Sequence, residues 1–269
     1  MTDPSPGELT LPKAIANLQQ TADPSLRYYA AWWLGKFRIT EPEAIEALIA
    51  ALEDETDRTP EGGYPLRRNA ARALGKLACG DRAVEPLMAC LDCADYYVRE
   101  AACQSLGELG DQRCVDKLQT LLGGGMTAVE LPPGQSHLDQ PYDSILESLG
   151  QLGATIAIPT IEPFLAHPIP RIHCAAARAL YQLTENPRYG EHLVQALQQP
   201  ELQLRRSVLM DLGACGYGEA AEAIAQTPAE NSLKLVALKG ILEQHLAKTS
   251  VLDLSPNAVR LMTIMDSLL

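Results

Sequence analysis

Leu66-Arg67-Arg68-Asn69-Ala70-Ala71-Arg72-Ala73-Leu74-Gly75-Lys76-Leu77 decides how this chain folds, because the chain writes the same phrase six times. The other copies align on it through Leu34, Leu106, Leu149, Leu180 and Leu212. Successive central leucines stand 40, 32, 43, 31 and 32 residues apart, so the basic unit is near 32 residues and two gaps carry insertions. Self-similarity at this period marks a solenoid. Within a copy the apolar residues fall at helical spacing: Leu66, Ala70, Leu74 and Leu77, or Val98, Ala102, Leu106 and Leu109, or Leu204, Val208, Leu212 and Cys215. That stripe is the expected core face, and the motif helices are expected near 25–38, 66–78, 98–110, 141–153, 171–184 and 204–216.

After a Gly or Gly-Asp stop such as Gly110-Asp111, a second apolar helix follows, as at residues 83–91, 114–122 and 158–165. Several of these carry a proline read as first-turn: Pro42, Pro86 and Pro159. Each unit is therefore a helical hairpin. One hairpin cannot bury both apolar faces alone, so the units must stack and share one elongated core. Residues 1–269 read as a single α-solenoid domain. The insertions are 53–65, acidic with Gly and Pro, and 123–140, where Gly123-Gly124-Gly125 and Pro132-Pro133 forbid a continuous helix. Both are expected to be surface loops. From 218 to 269 the pattern decays into a degenerate cap: residues 232–246 read as a last helix, with Lys234 where Arg would stand. Residues 251–269 read as amphipathic, with Leu261, Met262, Met265 and Leu268 exposed.

Composition narrows the function. The chain is 46% hydrophobic, yet no run nears the roughly 18 apolar residues that a membrane helix needs, so no membrane insertion is expected. Met1-Thr2-Asp3-Pro4 opens without a charged and apolar leader. Seven cysteines, among them Cys79, Cys103, Cys114, Cys174 and Cys215 on helix faces, fit a reducing compartment better than a disulfide framework. Cys90 and Cys93 form a CxxC without a second pair, and helix-packed thiols are the plainer account. A net charge of −12 repels phosphate backbones, which argues against nucleic acid as a partner. None of the five histidines is followed by glutamate, and no metal site is expected.

The repeat also acts as its own control. Two residues before the central leucine stand Trp32, Arg72, Gln104, Glu147, Arg178 and Met210; six before it stand Tyr28, Arg68, Glu100, Asp143, Cys174 and Arg206. Positions four apart share a helix face, so these two columns form an outward stripe. Laid side by side, the first four copies present rings on one helix, Arg68 and Arg72 on the next, then Glu100 and Gln104, then Asp143 and Glu147. Trp33 stands where other copies have Ala73, Ser105, Ser148, Ala179 and Asp211, and Tyr29 where they have Asn69, Ala101, Ser144, Ala175 and Ser207. For Tyr29 and Trp33 two readings stay open, binding or capping against the segment 9–18, whereas Tyr28 and Trp32 point to binding. Arg27, Arg67, Arg99 and Arg205 recur seven before the leucine, with Tyr142 and His173 in the other copies, and recurrence with the repeat implies a structural role. Tyr96 reads as a staple and Tyr97 as reaching a groove mouth.

The (Val/Leu)-Arg-x-Ala-Ala-x-x-Leu-Gly-x-Leu phrase resembles HEAT-like repeats of the phycobilin lyase type over about residues 24 to 216. The first unit, Arg27-Tyr28-Tyr29-Ala30-Ala31-Trp32-Trp33-Leu34-Gly35-Lys36-Phe37-Arg38, with Glu61-Gly62-Gly63-Tyr64-Pro65 leading into the second, resembles the E subunits of the E/F-type phycobilin lyases. The resemblance implies an all-α, HEAT-like solenoid, a right-handed superhelix of helical hairpins whose Arg-x-Ala-Ala helices line the concave side. It implies an enzyme that works as a heterodimer with an F subunit, binding phycocyanobilin as substrate with no cofactor. The product is a thioether to a cysteine of the apo-phycocyanin alpha chain, made in a cyanobacterial cytoplasm for the phycobilisome.

On that resemblance Tyr28, Tyr29, Trp32 and Trp33 suit the flat tetrapyrrole, Arg68 and Arg72 its propionates, and Glu100, Asp143 and Glu147 its pyrrole nitrogens. Asp143, Glu147 and Tyr28 are the candidate proton donors. The alternative is a noncatalytic repeat adaptor that grips a peptide in its groove; a third reading gives this chain recognition of apo-phycocyanin alone. The C-terminal end or the N-terminal helix is expected to dock the F subunit.

Overall fold

A computed structural model describes residues 9–77, 80–132, 134, 137–248 and 255–269, and these are helical with no strand among them. They fall into two compact units that meet at residue 148. The expectations about the first four residues, Cys79, Pro133 and residues 251–254 lie outside the described residues.

The first unit holds α1 (Leu11–Gln19), α2 (Pro24–Lys36), α3 (Pro42–Ala51), α4 (Pro65–Lys76), α5 (Asp81–Cys90), α6 (Tyr96–Leu109), α7 (Val115–Leu121) and α8 (Tyr142–Gln151), the last reaching past the boundary. Helices α2, α4, α6 and α8 are the first four motif helices. Asp23 caps α2 by accepting from the Ser25 and Leu26 amides, with Pro24 just inside. Helix α6 starts on Asp95 and stops at Gly110, whose left-handed φ of 75° closes the helix without a Cβ clash. The apolar stripe is the core: Leu34, Leu66, Ala70, Leu74, Val98, Ala102, Leu106, Ile145 and Leu149 are 0% exposed, while Leu109 at the end of its stripe is only half-buried.

Motif helices pack with α2 on α4 and α4 on α6, and the glycine after each central leucine sets how close they come. A methyl on Gly35 would stand 2.8 Å from the Ala73 Cα, and one on Gly75 would meet Ser105. This explains the small residue just before each leucine: it faces the glycine of the preceding copy. In the first copy no earlier motif helix presses there, and Trp33 fits.

The second unit holds α9 (Ile158–Ile161), α10 (Pro170–Thr184), α11 (Pro187–Ala196), α12 (Leu202–Cys215), α13 (Ala221–Gln226), α14 (Asn231–Lys248) and α15 (Pro256–Asp266). Here too Gly150 lies on Ala179 and Gly213 on Ala237. The fifth copy departs from the rule, with Tyr181 in the glycine's place and buried Asp211 opposite, bonded to Arg171 at 2.8 Å and Arg178 at 3.2 Å.

Where a base holds the recurrent position, it grips carbonyls at or just beyond the end of the preceding helix. Arg27 donates to Leu18 O, Arg67 to Asp54 O, Arg99 to Cys93 O and Ala94 O, Arg205 to Gln199 O and Pro200 O, and Lys234, in the degenerate copy, to Ala225 O. A cation there answers the negative end of a helix whose last carbonyls lack partners. Arg27 also forms a buried ion pair with Asp54 at 2.6 Å.

Four expectations need correction. Pro86 is inside α5, not in its first turn, because Gly80 at φ 62° lets the helix begin at Asp81. The helix expected over 158–165 breaks after Ile161 into a 3-10 turn spanning Glu162–Ala166, since Pro163 cannot donate. Leu261 is 3% exposed, packed into the core of the second unit as α15 lies on α13 and α14, while Met262 is exposed and Met265 and Leu268 are half-buried. The outward stripe does not reach the fifth copy: Cys174 is sealed in the core and Arg178 is drawn into the buried pair with Asp211.

Candidate functional site

The two stripe columns surface on the motif helices of the first unit. On α2, Tyr29 is 50% and Trp32 48% exposed, their ring centroids 5.5 Å apart, while Tyr28 is half-buried. Rings this large left in water on a helix with a full core are unusual and mark a surface that expects company. Trp33 is half-buried and pairs with Phe37 at 5.3 Å, so it belongs to a second ring pair and not to the first. Half of the Tyr29 surface is open, and Tyr28, expected to be the outward ring, is the less exposed of the two.

On α4, one helix over, Arg68 and Arg72 are half-buried one turn apart. Arg72 lies 3.5 Å from Glu100 of α6. Burial lowers Arg72 from the usual guanidinium value and the charge of Arg68 adds to it, with Glu100 pulling the other way. Arg68 lies over the Tyr97 ring at 5.1 Å, and its buried Nε has no hydrogen-bond partner. Two cations held this close favour an anion. On α8, Asp143 and Glu147 are half-buried, and Gln104 donates to Ser144 across the α6–α8 contact at 3.3 Å.

Residues that sequence reading missed complete the site. Asp57, on the first insertion loop, faces Tyr28: burial pushes the Tyr28 phenol up to about 12, with hydrogen bonding to the Asp57 carboxylate and that carboxylate's charge adding to it. The Arg27–Asp54 pair holds this loop in place, because Asp54 also accepts from the Thr56 and Asp57 amides. No spacing signal could have found Asp57, since the loop lies outside the repeat.

The two insertion loops also flank a cavity of about 830 Å³ at the N-terminal ends of α4 and α6. Tyr96 stacks on His137 with centroids 4.0 Å apart and planes 8° apart, and Tyr97 stands edge-on to Tyr96. Burial raises the Tyr96 phenol above its ordinary value, and the charges of Asp143 and Glu100 act in the same direction. Tyr64 is covered by Arg67 at 4.1 Å. Asp95 joins the two helix starts, accepting from the Tyr64 amide at 2.6 Å and the Tyr97 amide at 2.8 Å. Arg68 lines this cavity as well as the stripe. Tyr96 and Tyr97 were legible as aromatic, but their common pocket was not.

The arrangement is one face carrying exposed rings, then paired guanidiniums, then carboxylates, with an aromatic cavity at one end. It suits a flat, conjugated dianion better than a peptide backbone.

Comparison with known proteins gives a consistent picture. The family model for HEAT repeats matches residues 11–92 and 62–125, and that for the PBS lyase HEAT-like repeat matches 172–199. The chain is 59% identical to the phycocyanobilin lyase subunit alpha of a Nostoc species, over 97% of this chain and 95% of the relative. It is 46% identical to the bilin biosynthesis protein PecE of Mastigocladus laminosus, over 87% and 82%. Among solved structures it is similar to a chain of the complex of CpcE and CpcF of phycocyanin lyase from Nostoc, with a TM-score of 0.88, 57% identity and full coverage of both chains.

Proposed function

The chain belongs to the family of phycocyanobilin lyase alpha subunits, and from that premise we propose that it holds phycocyanobilin on the α2–α4–α6 face while the pigment is joined to a phycocyanin alpha chain. It is one subunit of a bilin lyase and works with an F-type partner. The adaptor reading is not favoured, because relatives matching nearly the whole chain are lyase subunits.

The reaction joins an acceptor cysteine to ring A of the bilin. The acceptor's sulfur forms a bond to the vinylic carbon, and the thiol proton's equivalent ends on the bilin, so no group leaves. The thiolate comes from the acceptor. This chain's share is to hold the bilin extended, exclude water and present one face of the reacting carbon. Tyr29 and Trp32 support the conjugated plane, Arg68 and Arg72 hold the two propionates, and Glu100 with Asp143 and Glu147 faces the pyrrole N–H groups. Tyr28 stays protonated at neutral pH and donates a hydrogen bond; Asp143, Glu147 and Tyr28 remain the proton-donor candidates.

The observation that carries this reading is the juxtaposition of the open Tyr29–Trp32 pair with the Arg68–Arg72 pair on adjacent packed helices. The test is an absorption titration of the chain with phycocyanobilin, with and without the F-type partner. A red-shifted, intensified long-wavelength band that Trp32→Ala and Arg68→Ala weaken supports it. Absence of any bilin-dependent spectral change in either sample overturns it. Variants that keep full bilin binding but lose apo-phycocyanin would assign this face to the acceptor instead.

A further inference from the structure

The cavity between the insertion loops is not needed by the stripe, yet it opens beside Arg68 and is lined by rings. We infer that it seats the terminal pyrrole ring of the bilin farthest from the reacting carbon, an inference that rests on the function proposed above.

Three features lead there. The first is connectivity: Arg68 borders both the stripe and the cavity. A linear tetrapyrrole carries its propionates on the two inner rings, so a pigment held by Arg68 and Arg72 extends one terminal ring beyond Arg68. The second is exposure. Tyr29 and Trp32 are about half open on a bare helix face, where a protein acceptor can approach a reacting ring, whereas the cavity, open at its Tyr97 mouth, is bordered by loop residues on two sides and takes the end that does not react.

The third is chemistry. A terminal ring is a flat lactam with apolar substituents and one N–H. The cavity, at about 830 Å³, is of the size that small-molecule sites have, and the stacked Tyr96 and His137 with Tyr97 edge-on beside them give it an aromatic wall. The Nδ1 of His137 lies 3.0 Å from Leu138 O. A carbonyl can only accept, so Nδ1 carries the proton in the neutral ring and Nε2 is left as an acceptor for the lactam N–H. Cation and rings are already arranged together, with Arg68 over Tyr97, so the propionate and the ring next to it would be held by one assembly.

The test uses the full chain co-purified with its F-type partner and titrated with phycocyanobilin, reading affinity and absorption, with melting curves to verify folding. Tyr97 is 41% exposed, so Tyr97→Ala should leave the fold intact. It should weaken binding about tenfold, as loss of one stacking ring does. His137→Phe keeps a ring on Tyr96 but removes the acceptor, and should shift the long-wavelength band. If both variants match wild type in affinity and spectrum while Trp32→Ala and Arg68→Ala still weaken binding, the cavity assignment is overturned and the proposed function stands. If none of the four changes alters binding, the site assignment falls together with it.

Discussion

Gly75 in α4 lies so close to α6 that a methyl group on it would stand 2.8 Å from the Cα of Ser105. The Ser105 Oγ and Cβ come closer still, at 2.6 and 2.7 Å, but because the Cα behind them is backbone a change of rotamer cannot relieve the clash. Ordinarily Gly→Ala in a helix gains about 1 kcal/mol. Here overpacking should outweigh that gain, and Gly75→Ala should destabilise the chain by about 1–3 kcal/mol. Denaturant melts of Gly75→Ala and of the Gly110→Ala control, where no atom lies within 4 Å but φ is 75°, separate crowding from backbone strain.

The Arg27–Asp54 pair is nearly sealed, at 6% and 11% side-chain exposure. Asp54→Ala leaves a guanidinium without its counterion and should cost about 3–5 kcal/mol. Burial would raise the Asp54 carboxyl, but hydrogen bonds from Arg27, the Asp57 amide and Thr56 win and hold it below 3.8. An acid with a depressed folded value contributes stability above its unfolded value and loses it as pH falls through the folded one. Acid unfolding of Asp54→Asn should therefore be shallower below pH 3.8 than that of wild type.

Arg68 and Arg72 should act as a pair toward a dianion. Each single alanine variant is expected to weaken phycocyanobilin about ten- to hundredfold, as lost charge-assisted bonds do. The double variant should lose less than the sum, because removing one cation relieves its repulsion on the other. Full additivity in titrations at two salt concentrations would mean that the two guanidiniums do not repel one another at the site.

Tyr28 should ionise near pH 12, well above an ordinary phenol. An ultraviolet tyrosinate titration of wild type minus Tyr28→Phe reads it directly. Burial raises it most and the Asp57 carboxylate adds to that, so Asp57→Asn should move the difference titration part of the way down in pH. A Tyr28 midpoint near 10 in wild type would separate the phenol from Asp57.

His173 and His192 meet at 2.9 Å between α10 and α11. Burial lowers both below 6.5, and the neighbouring histidine charges lower His173 further. The unfolded chain then binds more protons as pH drops, so stability is level above pH 6.5 and declines below it. Melting temperature measured from pH 8 to 5 should fall on the acid side, and fall less in His192→Gln.

How much of this was written in the chain follows from where each residue lies in the repeat. Helices α2, α4, α6, α8, α10 and α12 begin and end within about two residues of expectation, because central leucines, glycine stops and first-turn prolines all report on the same local geometry. The exposure of Trp32 was legible by comparing copies, whereas that of Tyr29 was not: the columns pointed to Tyr28 as the outward ring, and it is Tyr29 that stands open. What was hidden depended on partners distant in sequence. The role of Asp57 needs the first insertion folded back on α2, and the cavity needs His137 of the second insertion folded back against Tyr96 of the preceding motif helix. Arg178 sank into the core through Asp211, an exchange no single column could announce.

The bases that clasp the ends of preceding helices make the joints that carry them directional. A hairpin presents carbonyls at its rear and a cation at its front, so it couples in one order and at one register. Whole units can then be gained or lost in ancestry with little repair, provided the cut leaves that clasp intact. A cut through it would strand a guanidinium on one fragment and bare oxygens on the other.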